Sequence, residues 1–347
     1  MVEPDNRFLS NYATFSNNSK GRLVNEKSID ERTCFQRDRD RILHSAAFRR
    51  LKHKTQVFLN EQGDYYRTRL THTIEVSQIS RSISFALNLN EDLTEAIALG
   101  HDVGHTPFGH IGEDELGKLV DGGFRHNKQS VRIFERLEKE GQGLNLTWEV
   151  RHGILHHSKP RGDFLSDVNK IELSLEAQSV RISDAVAYLN HDLADAVRAG
   201  VIKETDLPPE VNNILGTRHS KRIDTMVSDI VLNSWDCSGA SECSTVPMIT
   251  MGEDVRDAVN ILREYMFQNV YLPEDKSLEG RTAREIINLL FEYYIKNKDL
   301  IPKEYKLRSE TPDNAVVDYV SGMTDQYAIM IAEGLLPGIA KVFNDRY

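Results

Sequence analysis

The segment LGHDVGHTPFGHIGEDE, residues 99–115, concentrates metal-ligand and acid–base side chains more densely than any other part of the chain. It holds three histidines and four carboxylates, and His101 stands directly before Asp102. An imidazole nitrogen beside a carboxylate oxygen suits divalent ions of intermediate hardness, such as Mn, Fe, Zn or Mg. A lone His-Asp pair also arises by chance, so its interpretation as a metal site depends on the residues around it.

Apolar residues upstream of this segment recur with the 3.6-residue period of a helix. A first predicted helix opens at Thr71, and its inward face carries His72, Val76, Ile79 and Ile83. A second begins after the N-cap Asn90, and its inward face carries Leu93, Ile97 and His101. Inward histidines on two consecutive antiparallel helices can meet at the helix interface.

A third helix, predicted from Leu175 to Ala199, places Asp184 among small apolar residues. A carboxylate in such surroundings is costly unless it is paired or binds a metal. The sequence therefore predicts a divalent-metal site with the ligands His72, His101, Asp102 and Asp184. Water bound at such a site has a lowered pKa, which makes hydroxide available near neutral pH.

Further residues of the same types are not needed for coordination, namely His105, His110, Glu113 and His126. They can supply general acid and base functions, and His110 and Glu113 lie three residues apart on one helical face. The alternative for each histidine is a hydrogen-bonded core residue. Their concentration within one glycine-containing stretch favours a catalytic site.

The 347 residues carry a formal net charge of −10 and include no signal peptide and no apolar span of about 18 residues. We therefore expect a cytoplasmic protein without a membrane segment and without a broad electrostatic surface for nucleic acid. Three cysteines, Cys34, Cys237 and Cys243, fit neither a disulfide framework nor a zinc ribbon. They are predicted to be free thiols.

One strongly basic run, residues 37–54, has a net charge of +5, against −15 for the remainder of the chain. Two interpretations are open, a solvated helix face or a site for a strongly anionic ligand such as a polyphosphate. Other arginines close to the histidine-rich segment favour the second.

The chain is predicted to be all-α, because no convincing β alternation and no internal repeat accompanies the helical periods. Four segments are expected: a loosely held N-terminal arm over residues 1–30, a catalytic core over 31–200, an irregular connection over 201–248, and a C-terminal helical region over 249–347. The arm is inferred from its polar composition and the connection from Pro208, Pro209 and Gly216. Within the core, one helix is predicted from Asp38 to Leu51.

Four blocks of the sequence resemble successive signatures of the HD-domain deoxynucleoside-triphosphate triphosphohydrolases, a family that includes bacterial dGTP triphosphohydrolases. These blocks are RTRLTHTIEVSQIS at 67–80, HDVGHTPFGHIGE at 101–113, GFRHNKQS at 123–130 and RISDAVAYLNHDLADA at 181–196. The similarity continues to VRDAVNILREYMFQNVY at 255–271 and covers roughly residues 30–340. It implies the helical HD-domain fold followed by a phosphohydrolase-associated helical region.

The resemblance also implies a role for each residue at a matching position. The metal ligands implied are His72, His101, Asp102 and Asp184. The catalytic pair beside the scissile bond is His110 and Glu113, and the histidines that contact the phosphates are His105 and His126. The triphosphate arginine is Arg69, and the residues that read the deoxyribose are Gln56, Tyr188 and Asp192. The last set is chemically sensible, because a bulky Tyr188 ring would leave no room for a 2′-hydroxyl.

The activity implied is metal-dependent hydrolysis of a deoxynucleoside triphosphate, dGTP by family majority, to the deoxynucleoside and inorganic triphosphate. Mn or Mg is the expected ion, with Fe, Co, Ni and Zn as alternatives. A homo-oligomer and a nucleotide effector are implied as well, whereas the net charge does not indicate single-stranded DNA as a partner. The alternatives are a 5′-deoxynucleotidase, a guanosine-tetraphosphate hydrolase, and a non-catalytic nucleotide-sensing regulator. The complete residue set disfavours the regulator, because a pure binder needs no acid beside the metal.

Overall fold

The computed structural model describes residues 8–26, 31–59, 67–158, 172–240 and 246–344. Within these ranges the chain is helical and has no β-strand; extended pairing is limited to isolated bridges between Arg22 and Thr147 and between Thr55 and Thr68. The prediction of an all-α fold is therefore confirmed. None of the described helices combines the length and the apolar composition needed to cross a membrane.

The α-helices are numbered here in chain order. They are α1 Cys34–Leu43, α2 Ala46–Arg50, α3 Arg69–Ala86, α4 Glu91–Gly100, α5 Gly109–Leu119, α6 His126–Arg132, α7 Trp148–His156, α8 Leu175–Arg198, α9 Pro209–Leu215, α10 His219–Asn233, α11 Glu253–Met266, α12 Leu272–Asp275, α13 Leu278–Lys296, α14 Lys303–Arg308, α15 Pro312–Ser321, α16 Asp325–Leu335 and α17 Lys341–Asn344. Two π-helical turns, Ile133–Leu137 and Phe267–Tyr271, extend α6 and α11.

Local capping explains where several helices begin. The Asn90 side chain accepts a hydrogen bond from the Leu93 N–H at 3.2 Å, so the predicted N-cap of α4 is confirmed. The prediction of one continuous helix from Asp38 to Leu51 is wrong, because α1 ends at Leu43. Ser45 caps a new helix there, its side chain accepting from the Phe48 N–H at 3.1 Å.

The irregular connection predicted for residues 201–248 is also wrong over much of its length, since α9 and α10 lie within it. Pro209 is the first residue of α9, a position where the missing N–H is not needed, so the proline pair starts a helix there. Gly216 ends α9 with a φ of 96°, a conformation that favours glycine.

The described part of the N-terminal arm, residues 8–26, is held by hydrogen bonds, so the expectation of a loosely held segment is wrong there. The Glu176 carboxylate accepts from the Thr14 N–H at 2.9 Å and from the Thr14 hydroxyl at 2.8 Å. The Glu149 carboxylate likewise accepts from the Lys20 N–H at 2.6 Å. The rest of the predicted arm lies outside the described residues.

Two compact units can be distinguished, each assembled from separate stretches of the chain. The first comprises Met1–Leu43, His72–His101 and Asn145–Val270. In it α4 packs against α1, α7 and α8. The predicted inward faces are confirmed, since these side chains are buried: Val76, Ile79 and Ile83 of α3, and Leu93 and Ile97 of α4.

The second unit comprises His44–Thr71, Asp102–Leu144 and Tyr271–Tyr347. Its apolar core joins α5 to α13, α15 and α16, and the Phe108 ring before α5 stacks on Phe343 with centroids 5.9 Å apart. This core fixes α5, which carries His110 and Glu113. The domain boundaries predicted at residues 30, 200 and 248 stay predictions.

Candidate active site

In the first unit, three helices bring three of the predicted metal ligands together. The Nε2 atoms of His72, on α3, and His101, at the end of α4, lie 3.3 and 3.8 Å from the same Oδ1 atom of Asp184 on α8. Both histidines are buried. Burial raises the pKa of Asp184, but the two imidazoles outweigh this effect and hold the pKa well below its usual range.

The orientation of His101 shows that this cluster fits a cation. Its Nδ1 lies 2.7 Å from the Ala98 carbonyl oxygen, which can only accept, so Nδ1 carries a proton. In the neutral ring, Nε2 then presents a lone pair toward the Asp184 carboxylate. Two facing acceptors require a proton or a metal ion between them, and a backbone carbonyl on the far nitrogen is the usual way in which a ligating histidine is oriented.

Asp102 follows His101 directly in the chain and belongs to the second unit. Its Oδ2 accepts from Arg69 Nη1 at 2.7 Å, and its Oδ1 lies 3.1 Å from His105 Nε2. Arg69, the side chain that the resemblance assigns to the triphosphate, is only 1% exposed. In this structure Arg69 therefore holds the Asp102 carboxylate in place.

The carboxylate of Glu113 organises the remaining predicted catalytic residues in the second unit. Its closest partner is His126, whose Nδ1 lies 2.8 Å from Oε2 and whose backbone N–H donates to Oε1 at 2.9 Å. His110 Nδ1 is farther from Oε2, at 3.4 Å, and the His110 side chain is 73% exposed. Glu113 thus serves a buried histidine and an exposed one.

Two stacked histidines in this cluster are driven toward opposite protonation states. The His105 and His126 rings are nearly parallel, with centroids 3.9 Å apart. Burial lowers the pKa of both, but beside the Glu113 carboxylate the pKa of His126 is raised overall. The pKa of His105 falls well below normal through burial and the Arg69 charge. A charged and a neutral imidazole side by side can act as acid and base.

The segment that carries these residues is shaped by close backbone contact. A Cβ atom added at Gly104 would lie 2.2 Å from the His126 carbonyl oxygen, so only glycine lets the start of α6 approach. The Gly104 N–H donates to the Ser130 hydroxyl of α6 at 2.9 Å. This contact brings His126 to the histidine-rich segment.

The residues expected to contact the deoxyribose belong to different units. Tyr188 and Asp192 lie on α8, and Asp192 is buried. Gln56 belongs to the second unit, where its Oε1 is buried without a hydrogen-bond partner among the described residues. A buried amide oxygen of this kind suits a ligand hydroxyl.

Sequence reasoning missed two residues of the first unit. The Tyr188 hydroxyl accepts from Arg263 Nε at 3.0 Å, and burial raises the pKa of Tyr188 to about 12. The buried His157 ring lies 4.9 Å from the His101 ring, and its Nδ1 is 2.7 Å from the Ile154 carbonyl oxygen. His157 could have been found from its place at the end of an amphipathic helix, whereas no motif marks Arg263.

The basic run is at least partly neutralised by nearby acids. Arg39 Nη1 pairs with Asp92 at 3.0 Å, and Arg41 Nη2 pairs with Glu26 at 2.6 Å. These contacts favour a structural role for both arginines over an anion site. Cys34 and Cys237 are free thiols as predicted, and Cys243 lies outside the described residues.

Comparison with known proteins first gives the class. Residues 69–189 match the HD domain, and residues 249–333 match the phosphohydrolase-associated domain. A hypothetical protein from Aquifex aeolicus has a related fold, with a TM-score of 0.50 over 89% of this chain and 71% of that chain at 18% identity. Fold, domain match and buried His/Asp cluster define an HD phosphohydrolase with residues that could hold a divalent ion.

Full-length relatives narrow the class to a family. The deoxyguanosinetriphosphate triphosphohydrolase-like protein of Caldanaerobacter subterraneus subsp. tengcongensis is 50% identical, across 94% of this chain and 92% of its own. Those of Clostridium perfringens strain 13 and Desulfatibacillum aliphaticivorans are 48% and 45% identical, covering 92% and 93% of this chain and 91% and 93% of their own. The chain belongs to the family of deoxyguanosinetriphosphate triphosphohydrolase-like proteins.

Proposed function

We propose that this protein hydrolyses deoxynucleoside triphosphates, with dGTP preferred, to the deoxynucleoside and inorganic triphosphate in a reaction that requires Mn or Mg. The observation that carries the proposal is the convergence of His72 and His101 Nε2 on one oxygen of Asp184. The names of the relatives support the substrate.

The ion would be held by His72, His101, Asp184 and the residue that follows His101, Asp102. Two imidazoles and two carboxylates form a mixed N/O donor set that suits Mn or Mg, with Fe, Co, Ni and Zn as alternatives. When bound, such an ion lowers the pKa of its water and polarises a phosphoryl oxygen.

The chain's own acid–base residues account for the bond that breaks. Water loses a proton to the solvent as its oxygen adds to the α-phosphorus, and the bond from that phosphorus to the 5′-oxygen breaks. The departing alkoxide needs a proton, which the exposed His110 donates. Glu113 orients the His110 ring for this transfer. His126, whose pKa is raised, and His105, whose pKa is lowered, would bind phosphate oxygens, and by the family resemblance Arg69 would add a positive charge on the triphosphate.

Recognition of the sugar would depend on Gln56, Asp192 and Tyr188. The buried Gln56 Oε1 and the Asp192 carboxylate would accept from the 3′-hydroxyl. The Tyr188 ring, held at its hydroxyl by Arg263, would form the wall that excludes a 2′-hydroxyl. A site that pairs with a hydroxyl rejects analogues that lack it.

The test is to incubate the metal-loaded protein with each dNTP, singly and mixed, in ¹⁸O-labelled water and to separate the products. We expect labelled triphosphate and unlabelled deoxynucleoside. Orthophosphate or pyrophosphate as the first product would indicate that a different bond is cut. A 5′-deoxynucleotidase or a guanosine-tetraphosphate hydrolase would instead act on added deoxynucleoside monophosphate or guanosine tetraphosphate. No turnover of any nucleotide, with nucleotide binding retained, would indicate the non-catalytic regulator.

The family resemblance further suggests a homo-oligomer whose activity responds to a nucleotide effector. The mixed incubations test the effector, because one dNTP should then accelerate hydrolysis of another. Light scattering of the same preparation gives the oligomeric state.

A further inference from the structure

A lysine of the second unit is enclosed beside the proposed acid–base cluster. Lys54 is 2% exposed, and its Nζ donates to the backbone carbonyl of His105 and, at 3.0 Å, to that of Ser321. Ser321 is the last residue of α15, within the phosphohydrolase-associated domain. Lys54 therefore ties the histidine-rich segment to the C-terminal region.

A carboxylate from the same region makes a second tie. Asp325, the first residue of α16, is 8% exposed, and its two oxygens accept from two different loops. Oδ1 accepts from the Phe108 N–H at 3.0 Å, and Oδ2 accepts from the Thr55 N–H at 2.8 Å. One carboxylate therefore accepts hydrogen bonds from both the loop before α5 and the loop that carries Gln56.

The loop before α5 needs such a support. Phe108 has a φ of 63°, a left-handed conformation that is costly for a bulky residue. Its N–H would lose its acceptor if Asp325 were absent, at the desolvation cost of a buried amide. Helix α5 begins at the next residue, and His110 and Glu113 lie in its first turns. The conformation of Phe108 therefore sets the direction in which both catalytic residues leave the loop.

A role confined to α16 does not explain Asp325. The N-cap of this helix is Thr324, whose hydroxyl oxygen accepts from the Tyr327 N–H at 3.3 Å. The Asp325 oxygens are instead engaged by N–H groups that lie outside α16. Its carboxylate serves the two loops.

We propose that Lys54 and Asp325 are positioning residues, through which the phosphohydrolase-associated region fixes the loop that aims His110 and Glu113. This inference rests on the proposed function. Neither residue is expected to touch the substrate. The C-terminal region thereby contributes to catalytic geometry through two buried polar anchors.

The test compares Asp325→Asn with the matched control Thr324→Ala. An asparagine oxygen can accept one of the two N–H groups, but its amide group repels the other. Displacements of about 1 Å remote from the chemistry can cost about 100-fold in rate, so we expect kcat of Asp325→Asn to fall about 10- to 100-fold. Thr324→Ala removes the helix cap, lowering the melting temperature and leaving kcat unchanged.

A second measurement reports loop geometry without depending on turnover. In protein labelled with ¹⁵N at histidine, the imidazole signals of His105 and His126 should shift in Asp325→Asn and in Lys54→Met, and stay in place in Thr324→Ala. Unchanged signals in Asp325→Asn, or a kcat equal to that of the control, would overturn the proposal. If the wild-type protein hydrolyses no dNTP, the proposed function fails, and the imidazole signals still decide whether these residues position the loop.

Discussion

Glu113→Gln is the substitution that best tests the acid–base cluster, since one carboxylate contacts both His126 at 2.8 Å and His110 at 3.4 Å. Without its charge, burial is the largest remaining effect, so the pKa of His126 falls and the charged imidazolium form is disfavoured. At the same time His110 loses its orienting group. General acid catalysis contributes about 10²–10⁴ in rate, and we expect kcat to fall by about that factor.

The size of the loss in a double variant follows from the shared carboxylate. If His110 acts through Glu113, then Glu113→Gln combined with His110→Ala should lose about the same factor as Glu113→Gln alone. Independent roles would instead multiply the losses to about 10⁴–10⁸. Steady-state release of triphosphate from dGTP by the four proteins measures this difference directly.

The same substitution should also change how the free energy of unfolding depends on pH. Because Glu113 raises the pKa of His126, their pairing stabilises the folded state below the ordinary histidine pKa of 6.5 and is lost as pH rises through the raised value. The gap in unfolding free energy between wild type and Glu113→Gln should therefore widen as pH falls, toward the roughly 3–5 kcal/mol of a broken buried pair.

Glu115→Gln is the matched control on the same helix, because Glu115 bonds Asn288 and Lys118 and no histidine among its described contacts. Its kcat should stay near that of wild type. A Glu113→Gln rate within a few-fold of this control, or multiplied losses in the double variant, would refute the shared-carboxylate reasoning.

Three further predictions address the metal, the sugar and the buried lysine. Asp184→Ala should lose both the bound ion and turnover; a full complement of metal with normal activity would show that the ligand assignment is wrong. Tyr188→Ala should narrow the ratio of kcat/KM for dGTP over GTP, whereas Tyr188→Phe, which keeps the ring and loses only the contact with Arg263, should preserve it; equal ratios in both variants would remove the ring from this role. Burial lowers the pKa of Lys54 from 10.5 to about 7. The unfolded chain therefore binds more protons between these values, and stability should rise with pH across that window. Denaturant midpoints at several pH values should show this slope in wild type and a smaller one in Lys54→Met, and equal slopes would contradict it.

Helical periodicity was enough to predict which histidines of α3 and α4 face inward. The period places every third or fourth residue on one face, so apolar neighbours at Val76, Ile79 and Leu93 reveal where His72 and His101 must point. Local capping chemistry was likewise visible at Asn90. These features depend only on residues within a few positions of one another, which is why they can be predicted from the sequence pattern.

Contacts between distant parts of the chain were not predictable from pattern. Residues 8–26 have the polar composition of a loose arm, but buried carboxylates of Glu149 and Glu176 accept their N–H and hydroxyl groups. Polar residues that are paired across more than a hundred positions look, in sequence, the same as solvated ones. The long-range hydrogen bonds of Lys54 and Asp325 were not predicted for the same reason.

Protonation states require still more than contacts, as His105 and His126 show. The two are the same residue type, both are buried, and their rings stack at 3.9 Å. His126 is bonded to the Glu113 carboxylate, whereas His105 feels the Arg69 and His126 charges in addition to its own burial. One positive charge on the pair therefore opposes a second, because each cation lowers the pKa of its neighbour. The two pKa values are therefore driven apart, and the positive charge is favoured on the ring that Glu113 contacts. Beside a phosphate ligand the positive charge would be favoured on His126, and Glu113→Gln would remove the carboxylate that favours it while leaving both rings in place.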